Sequence, residues 1–350
     1  MAARTAIGLD IGTSGVRAAE LTFGKRGVTL AKFGQVAVPP GAVRDGEVVE
    51  PVGVAEAIRE LWSATRFSSK NVVLGVANQR VVVRTVELPW LPLPELRKSL
   101  GLQVADLIPM PVEQAVLDFH PLEEVTSDKG RTIKGLLVAA ARDTVLANVR
   151  CAERAGLRPT SVDLTSFAVL RSLGAGAFGD GSTEALVDVG SRVTNIVVHC
   201  GSVPSFVRIL LMGGQDITDA LAERVGSSLA EAEGLKQAVG MDGTAGPEYA
   251  NAARAVDATA QSLVDEIRGS LDYYSSTMPG APVERVVLSG GGSLLRGLAE
   301  RLGQAVRIPV TVGDPMAGMT IGKTGLDDEQ LRHVRPLAAV PVGLAMGAVR

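Results

Sequence analysis

Two aspartates in this chain each precede a glycine-centred turn between apolar, β-branched segments. Asp10-Ile11-Gly12-Thr13-Ser14-Gly15 separates the runs Thr5–Leu9 and Val16–Phe23. Asp188-Val189-Gly190-Ser191-Arg192 separates Ala185–Val189 from Val193–His199. Glycine and small hydroxyl residues let a tight turn bring its backbone N–H groups close to an anion. A carboxylate at the end of the preceding strand suits a hydrated magnesium ion, and Arg17 adds a cation beside the first turn. Either turn taken alone also fits an ordinary hairpin. Together, with Leu9–Ser14 matching Val187–Arg192, they read as an internal duplication. Its period is about half the chain, which suits two related domains gripping one phosphate–metal unit from opposite sides. A third turn, Ser289-Gly290-Gly291-Gly292-Ser293, follows the apolar strand Val286–Leu288 and is expected to open a helix, whose N-terminus favours anions. Close packing is the other reason for three glycines. Glu233 and Lys236 lie three apart on one helix face, as a solvent-facing ion pair or as part of a ligand site.

These residues need elements to hold them. Thr5–Leu9, Val16–Phe23 and Val28–Val38 read as strands joined by glycine turns. The spacing of Val54, Ile58, Leu61 and Trp62 predicts a helix over Pro51–Thr65, with strands Val72–Val76 and Val81–Leu88 after it. Pro89, Pro92 and Pro94 punctuate the chain before a helix over about Pro94–Leu107, where proline suits the first turn. Ala115–Pro121 and Thr132–Ala140 read as paired strands around Asp128-Lys129-Gly130, followed by a helix over Asp143–Gly156. Residues 87–159 are therefore expected to be a subdomain inserted in a first domain of 1–86, 160–184 and 336–350. Asp163–Leu173 is predicted as a helix and Gly174–Ser182 as a link. The second domain is expected over 185–220 and 284–335, with a helical subdomain at 221–283 built from Ile217–Val225, Ser228–Val239 and Tyr249–Ser276. Leu294–Leu302 and Pro341–Val349 are predicted helices, and 313–333 is read as irregular.

Composition narrows the function. The 350 residues leave room for two domains, and a hydrophobic content of 46% excludes global disorder. Aromatics at 3% argue against base-stacking platforms, and 35 Lys+Arg against 38 Asp+Glu argues against a nucleic-acid binder. Cys151 and Cys200, with His120, His199 and His333, form neither a zinc motif nor a disulfide framework, so a reduced, cytoplasmic setting is expected. Mean hydropathy of +0.23 calls for a search for membrane spans. Val193–Val207 and Pro336–Val349 are too short, and Asn195, His199 and several Pro and Gly break them. Two motifs are decoys. Gly322-Lys323-Thr324 lacks the glycine that a P-loop requires at 317, which is Ala. Gly174-x-Gly176-x-x-Gly179 follows a helix instead of the strand that a dinucleotide fingerprint needs.

The three turns, in this order, resemble the two phosphate loops (Ile7–Arg17 and Leu186–Ile196) and the adenosine loop (Val287–Leu298) of the actin-like ATPase superfamily, which includes actin, sugar kinases, heat-shock chaperones and FtsA. Leu211–Asp219 is similar to the strand–Gly–helix segment that follows the second loop. Glu233 and Lys236 match the pair that the superfamily sets beside ribose and adenine. The resemblance implies an α/β fold of duplicated actin-like (ribonuclease H-like) domains around a nucleotide cleft, with an FtsA-type α+β insertion. It implies ATP and magnesium as cofactors, with Asp10 and Asp188 toward the metal. The implied nucleotide ligands are Gly12, Thr13, Ser14, Gly15, Arg17, Gly190, Ser191, Gly213, Gly214, Glu233, Lys236, Gly290, Gly291, Gly292 and Ser293. Active members often carry Gln or Glu on the helix before the second phosphate loop. Leu164–Leu170 has neither, and Asp163 lies at the start, so slow or negligible turnover is expected, with no assigned catalytic residue and Asp188 as the group that could orient water or metal.

Within the superfamily, Val86-Glu87-Leu88-Pro89, Glu95-Leu96, Ile108-Pro109-Met110-Pro111, Asp118-Phe119, Asp10–Leu21 and Pro336–Gly347 are similar to the type IV pilus assembly protein PilM family. From the ending Ala348-Val349-Arg350, the lipid-anchoring amphipathic helix usual in FtsA is not expected. That resemblance implies a cytoplasmic ATP-binding adaptor, peripheral to the inner face of the cell membrane. The family docks the cytoplasmic N-terminal tail of inner-membrane PilN around the inserted subdomain and first domain, and links it to pilus motor components. Membrane contact is expected only through that partner, and a homo-oligomer stays open. An FtsA-like filament or division protein and a small-molecule kinase are the alternatives; the deprotonating Asp and sugar pocket that a kinase needs give no clear signal.

Overall fold

A computed structural model describes residues 4–128, 130–174, 181–242 and 244–348. Strands β1 (Arg4–Ile11) and β2 (Gly15–Gly24) are apolar on both faces and mostly buried, as central strands covered on both sides must be. They pair antiparallel, with Asp10 opposite Arg17 and Ile11 opposite Val16. β3 (Gly27–Ala37) continues the meander. A small hairpin of β4 (Val43–Arg44) and β5 (Glu47–Val48) leads to α1 (Pro51–Thr65), which has proline in its first turn and ends at Arg66 in the left-handed conformation. β6 (Asn71–Val76) then joins β1 in parallel.

β7 (Val81–Pro89), β8 (Ala115–Ser127) and β9 (Gly130–Ala141) form a separate antiparallel sheet in the order β7-β9-β8. Helix α2 (Leu93–Val104), which precedes β8, buries Leu96, Leu100 and Val104 against Phe119, Ile133 and Leu137 of that sheet. α3 (Arg142–Arg154), β10 (Arg158–Leu164) and α4 (Thr165–Leu173) return to the first lobe, where β10 pairs with β6.

The second lobe repeats the plan. β11 (Thr183–Val189), β12 (Thr194–Cys200) and β13 (Val203–Leu210) form a meander, and β14 (Arg285–Ser289) and β15 (Val310–Val312) add in parallel. Its sheet runs β15-β14-β11-β12-β13, strand for strand the order β10-β6-β1-β2-β3 of the first. The two hairpin turns close alike: Gly12 N–H donates to Gly15 O and Gly190 N–H to Val193 O, both at 3.0 Å. The duplication expected from the turns is thus present in the topology. Helices α5 (Gly214–Val225), α6 (Leu229–Val239) and α7 (Ala250–Thr277) cover one face of this sheet, and Ile217, Leu221, Leu263, Ile267 and Tyr274 fill its core. α8 (Leu298–Val306) links β14 to β15. β16 (Thr320–Ile321), α9 (Asp328–Val334) and α10 (Ala339–Gly347) complete the described chain. Among the described residues, no helix is long and apolar enough to cross a membrane.

Several expected boundaries move. The insertion does not begin at 87, because β7 pairs with β9 along its whole length, from Val81 opposite Ala140 to Pro89 opposite Thr132. Nor does it end at 159: Cys151 and Ala152 of α3 pack with Val54 and Ile58 of α1, and β10 extends the first sheet. The expected helix over Asp163–Leu173 starts at Thr165. Its first residues belong to β10, an edge strand that tolerates Pro159 with a bulge before Ser161. Residues 316–335 do not stay in the second lobe, since β16 pairs with β3 and Met316, Leu331 and Val334 pack in the first-lobe core. α9 had a readable start, because Asp327 accepts the N–H groups of Glu329 and Gln330, a capping box. The triple glycine leads into one 3-10 turn, Gly291–Leu294, and α8 begins only after the left-handed Gly297. Lys129, the glycine pattern at 176 and 179, and Val349-Arg350 lie outside the described residues.

The lobes are joined where α4 and α10 cross, with Ala168, Val169, Val340 and Leu344 in one core. Gly343 sits against the α4 backbone so closely that an added Cβ would fall 1.8 Å from Ala168 O. Gly343→Ala should therefore force the two helices apart. Chemical denaturation should show a loss of about 2 kcal/mol or more, and an unchanged midpoint and slope would refute this packing.

Candidate functional site

The two hairpin turns open from opposite lobes into one cavity of about 980 Å³. Its walls include Asp10, Gly12, Thr13, Ser14 and Arg17 from the first lobe. The second lobe contributes Asp188, Gly190, Ser191, Gly214, Glu233, Lys236 and Gly290–Gly292. Gly15, Gly213 and Ser293, also expected at the site, do not line it. Gly15 stands against Val36 O of β3. Gly213 stands against the Gly190 and Ser191 carbonyls. Ser293 is buried, and its hydroxyl donates to Gly290 O at 2.7 Å, shaping the glycine turn from behind.

The second turn is pinned by the helix that follows it. Gly214 N–H donates to Gly190 O at 2.9 Å and Gln215 N–H to Ser191 O at 2.7 Å. The first N–H groups of α5, which a helix leaves without intrahelical partners, are thus used to hold the turn. Arg192 is turned to the same helix by ion pairs with Asp216, at 2.7 Å, and Asp219. The triple glycine packs on the same turn: Gly290 has φ +78°, and a Cβ there would lie 2.4 Å from Val189 O. Ser289 Oγ donates to Asp188 Oδ1 at 2.8 Å. β14 therefore supports the Asp188 turn directly.

Asp188 is buried, and burial pushes its pKa up against the Ser289 hydrogen bond and Arg17. Asp10 is raised to about 6, chiefly by burial; Arg17 opposes the rise and the charge of Asp188 adds to it. Arg17 itself is steadied by Ser14 Oγ at 3.2 Å and Gln35 Oε1 at 3.4 Å. The pair of carboxylates is thus destabilised as anions until a cation joins them. Among the described residues, no group of three or more His, Cys, Asp or Glu could hold a metal alone. A cation here needs further oxygens from a ligand or water, as magnesium takes in phosphate sites.

Lys236 is far from a solvent-facing pair. It is buried, and its ammonium reaches Glu233 Oε2 at 2.7 Å, Thr218 Oγ1 at 2.8 Å and Gly214 O at 2.9 Å. Thr218 in turn donates to Glu233 at 2.6 Å. Burial raises Glu233, but the bonds from Lys236 and Thr218 outweigh it and hold the carboxyl below its usual range. This network ties α6 to the N-terminus of α5 at the cavity wall.

Sequence reasoning missed Thr218, Asn148, Thr165 and Asn195, all cavity-lining. Asn195 lies opposite Asp188 as Arg17 lies opposite Asp10, so the duplication itself pointed to it. It accepts from Ser166 Oγ at 3.0 Å, joining α4 to β12. Asn148 donates to Gly75 O at 3.4 Å, while its Oδ1 is buried without a partner. Asp163 is ion-paired with Arg171.

The raised Asp10 has a definite pH signature. Its folded pKa of about 6 exceeds the ordinary 3.8, so folding favours its protonated form. Stability is highest below about pH 4 on this account, falls as pH rises to about 6, and is then level. Asp10→Asn removes the penalty. It should stabilise the protein by up to about 3 kcal/mol at pH 7.5 and by nothing below pH 4. Urea titrations at both pH values check this, and equal effects at the two would remove the assignment.

A chain of the PilM-PilN type IV pilus biogenesis complex matches with TM-score 0.85 and 29% identity, over 99% of this chain and 98% of its own length. MreB5 of Spiroplasma citri, solved with ADP bound, shares the fold with TM-score 0.51 and 12% identity, over 97% and 94% of the two chains. The cell division protein FtsA of Bacillus subtilis is 24% identical over 264 residues, 67% of this chain and 58% of FtsA. The chain thus spans a little over half the length of that curated relative. The family model for the type IV pilus assembly protein PilM matches residues 8–349. With paired aspartate turns on a duplicated actin-like fold and a family match over almost its whole length, the chain belongs to the type IV pilus assembly protein PilM family.

Proposed function

We propose that this protein is an ATP-binding adaptor of type IV pilus assembly that docks the cytoplasmic N-terminal tail of PilN and links it to the pilus motor at the inner face of the cell membrane. The observation that carries the adaptor reading is the end-to-end likeness to a chain of the PilM-PilN complex. Nucleotide binding is supported by the interlobe cavity and by the ADP bound to the related fold of MreB5.

The residues present fit a magnesium nucleotide. Asp10 and Asp188, both raised by burial, would hold hydrated magnesium, and that ion would offset the charge of the phosphates. The Gly12–Ser14 and Gly190–Ser191 turns would bind phosphate through backbone N–H groups, and Glu233 and Lys236 would flank the nucleoside. A ligand that touches both turns favours the closed arrangement of the lobes, because only there are both sets of contacts made. Turnover is expected to be slow. α4 opens with Thr165 and Ser166, and Asp163 is held by Arg171, so α4 brings no carboxylate or amide to orient water.

Two measurements test this. Pulldown with the PilN tail, with and without ATP, should retain the protein; absence of binding in both states would remove the adaptor reading. By calorimetry, Asp10→Ala should weaken magnesium-dependent ATP affinity at least about tenfold, the loss of one charge-assisted contact, with the fold intact. Unchanged affinity would displace the metal from this pair.

A further inference from the structure

The net charge of −3 hides a strong asymmetry. β1, β6 and β10 run parallel, so their first residues share one edge of the first sheet. β2 runs the other way, which brings the Lys25-Arg26 turn to the same edge, beyond the pairing of Arg4 with Phe23. α3 ends there at Arg154, and Arg158 N–H donates to Lys70 O at 2.7 Å. The segments forming this edge, residues 4–5, 22–28, 65–71 and 153–158, hold seven Lys and Arg against one carboxylate, Glu153. Arg4, Lys25, Arg26, Lys70, Arg154 and Arg158 are all exposed. None of them forms an ion pair among the described residues. Among the described residues, Arg4 alone of these side chains is hydrogen-bonded, to the Ala348 carbonyl at 2.9 Å. The eight residues of β1, about 25 Å of strand, separate this edge from the Asp10 turn.

We infer that this edge is an electrostatic docking surface for anionic lipid. The cations come from separate chain ends and spread across the width of five strands, about 20 Å. They are long side chains, and among the described residues no carboxylate pairs with them. Such an array has charge without a set geometry, which suits a laterally adjustable sheet of headgroups. One acidic peptide segment is better read by guanidinium forks already held in place. The inference goes beyond the adaptor reading, because it gives the protein a weak membrane contact of its own, independent of PilN.

The test is cosedimentation of the full chain with protein-free vesicles of phosphatidylcholine, or of phosphatidylcholine with phosphatidylglycerol. The protein should bind only the anionic vesicles, and lose them between about 50 mM and about 500 mM salt as screening shortens. Reversing Lys25, Arg26, Lys70 and Arg158 to Glu should lower partitioning at least about fifty-fold, since each cation near such a surface is worth about fivefold. Arg97→Glu with Lys98→Glu on α2 should leave it unchanged. ATP affinity and melting temperature of the fourfold variant should match the parent, which separates lost docking from lost folding. Failure of the parent to bind anionic vesicles, or unaltered binding by the fourfold variant, overturns the inference. So does tight capture of soluble polyglutamate without vesicle binding, which would assign the edge to an acidic protein segment.

Discussion

Two enclosed carboxylates from opposite lobes, Asp10 and Asp188, are the constraint around which the rest of this protein is arranged. Each is unfavourable as an anion where it stands, and each senses the charge of its surroundings: Asp188 adds to the rise of Asp10, and Arg17 opposes both. A fold built only for stability would replace them. They line a cavity between the lobes, where the proposed cation and phosphate oxygens would offset that cost.

The surrounding architecture fixes those turns by hydrogen bonds and close packing. Within the second lobe, Ser289, Gly290 and the first amides of α5 clamp the Asp188 turn from two sides. Between lobes, Gly343 brings α10 backbone against α4 backbone, Gly290 N–H donates to Pro336 O, and Val81 and Leu136 of the inserted sheet share a core with Val207 of β13. Gly343 permits that close approach, and Arg171 of α4 reaches across the crossing to donate to Gly343 O at 2.9 Å. Lys236 extends the same logic outward, since its ammonium binds α6 to α5 with every donor directed at an oxygen.

The inserted sheet sits at the flank of this machine. Its core of Leu96, Leu100, Phe119 and Leu137 is its own, yet α3 leaves it directly to pack on α1 and to carry Asn148 to the cavity wall. A partner seated around the insertion would therefore lie one helix away from the proposed nucleotide. The basic edge lies at the other end of the first sheet, so the proposed ligand, peptide and lipid contacts occupy separate faces of one lobe.

The sequence alone determined what depends on neighbours a few residues apart. Strand alternation and turn glycines marked β1, β2, β11 and β12, and the repeat of Asp-x-Gly announced the duplication before any coordinates. Tertiary structure decided what depends on distant pairing. β10 was hidden because Pro159 argues against a strand until its place at a sheet edge is known. β16 could be found only through its pairing with β3, and the true start of the insertion only through β9. In the site, Ser289 stands in the triple-glycine motif, but its partner was not legible: it meets Asp188 across 101 residues of chain. Short-range patterns are written in side-chain chemistry and backbone preference, whereas a hydrogen bond between remote strands exists only once the hydrophobic core has brought them together.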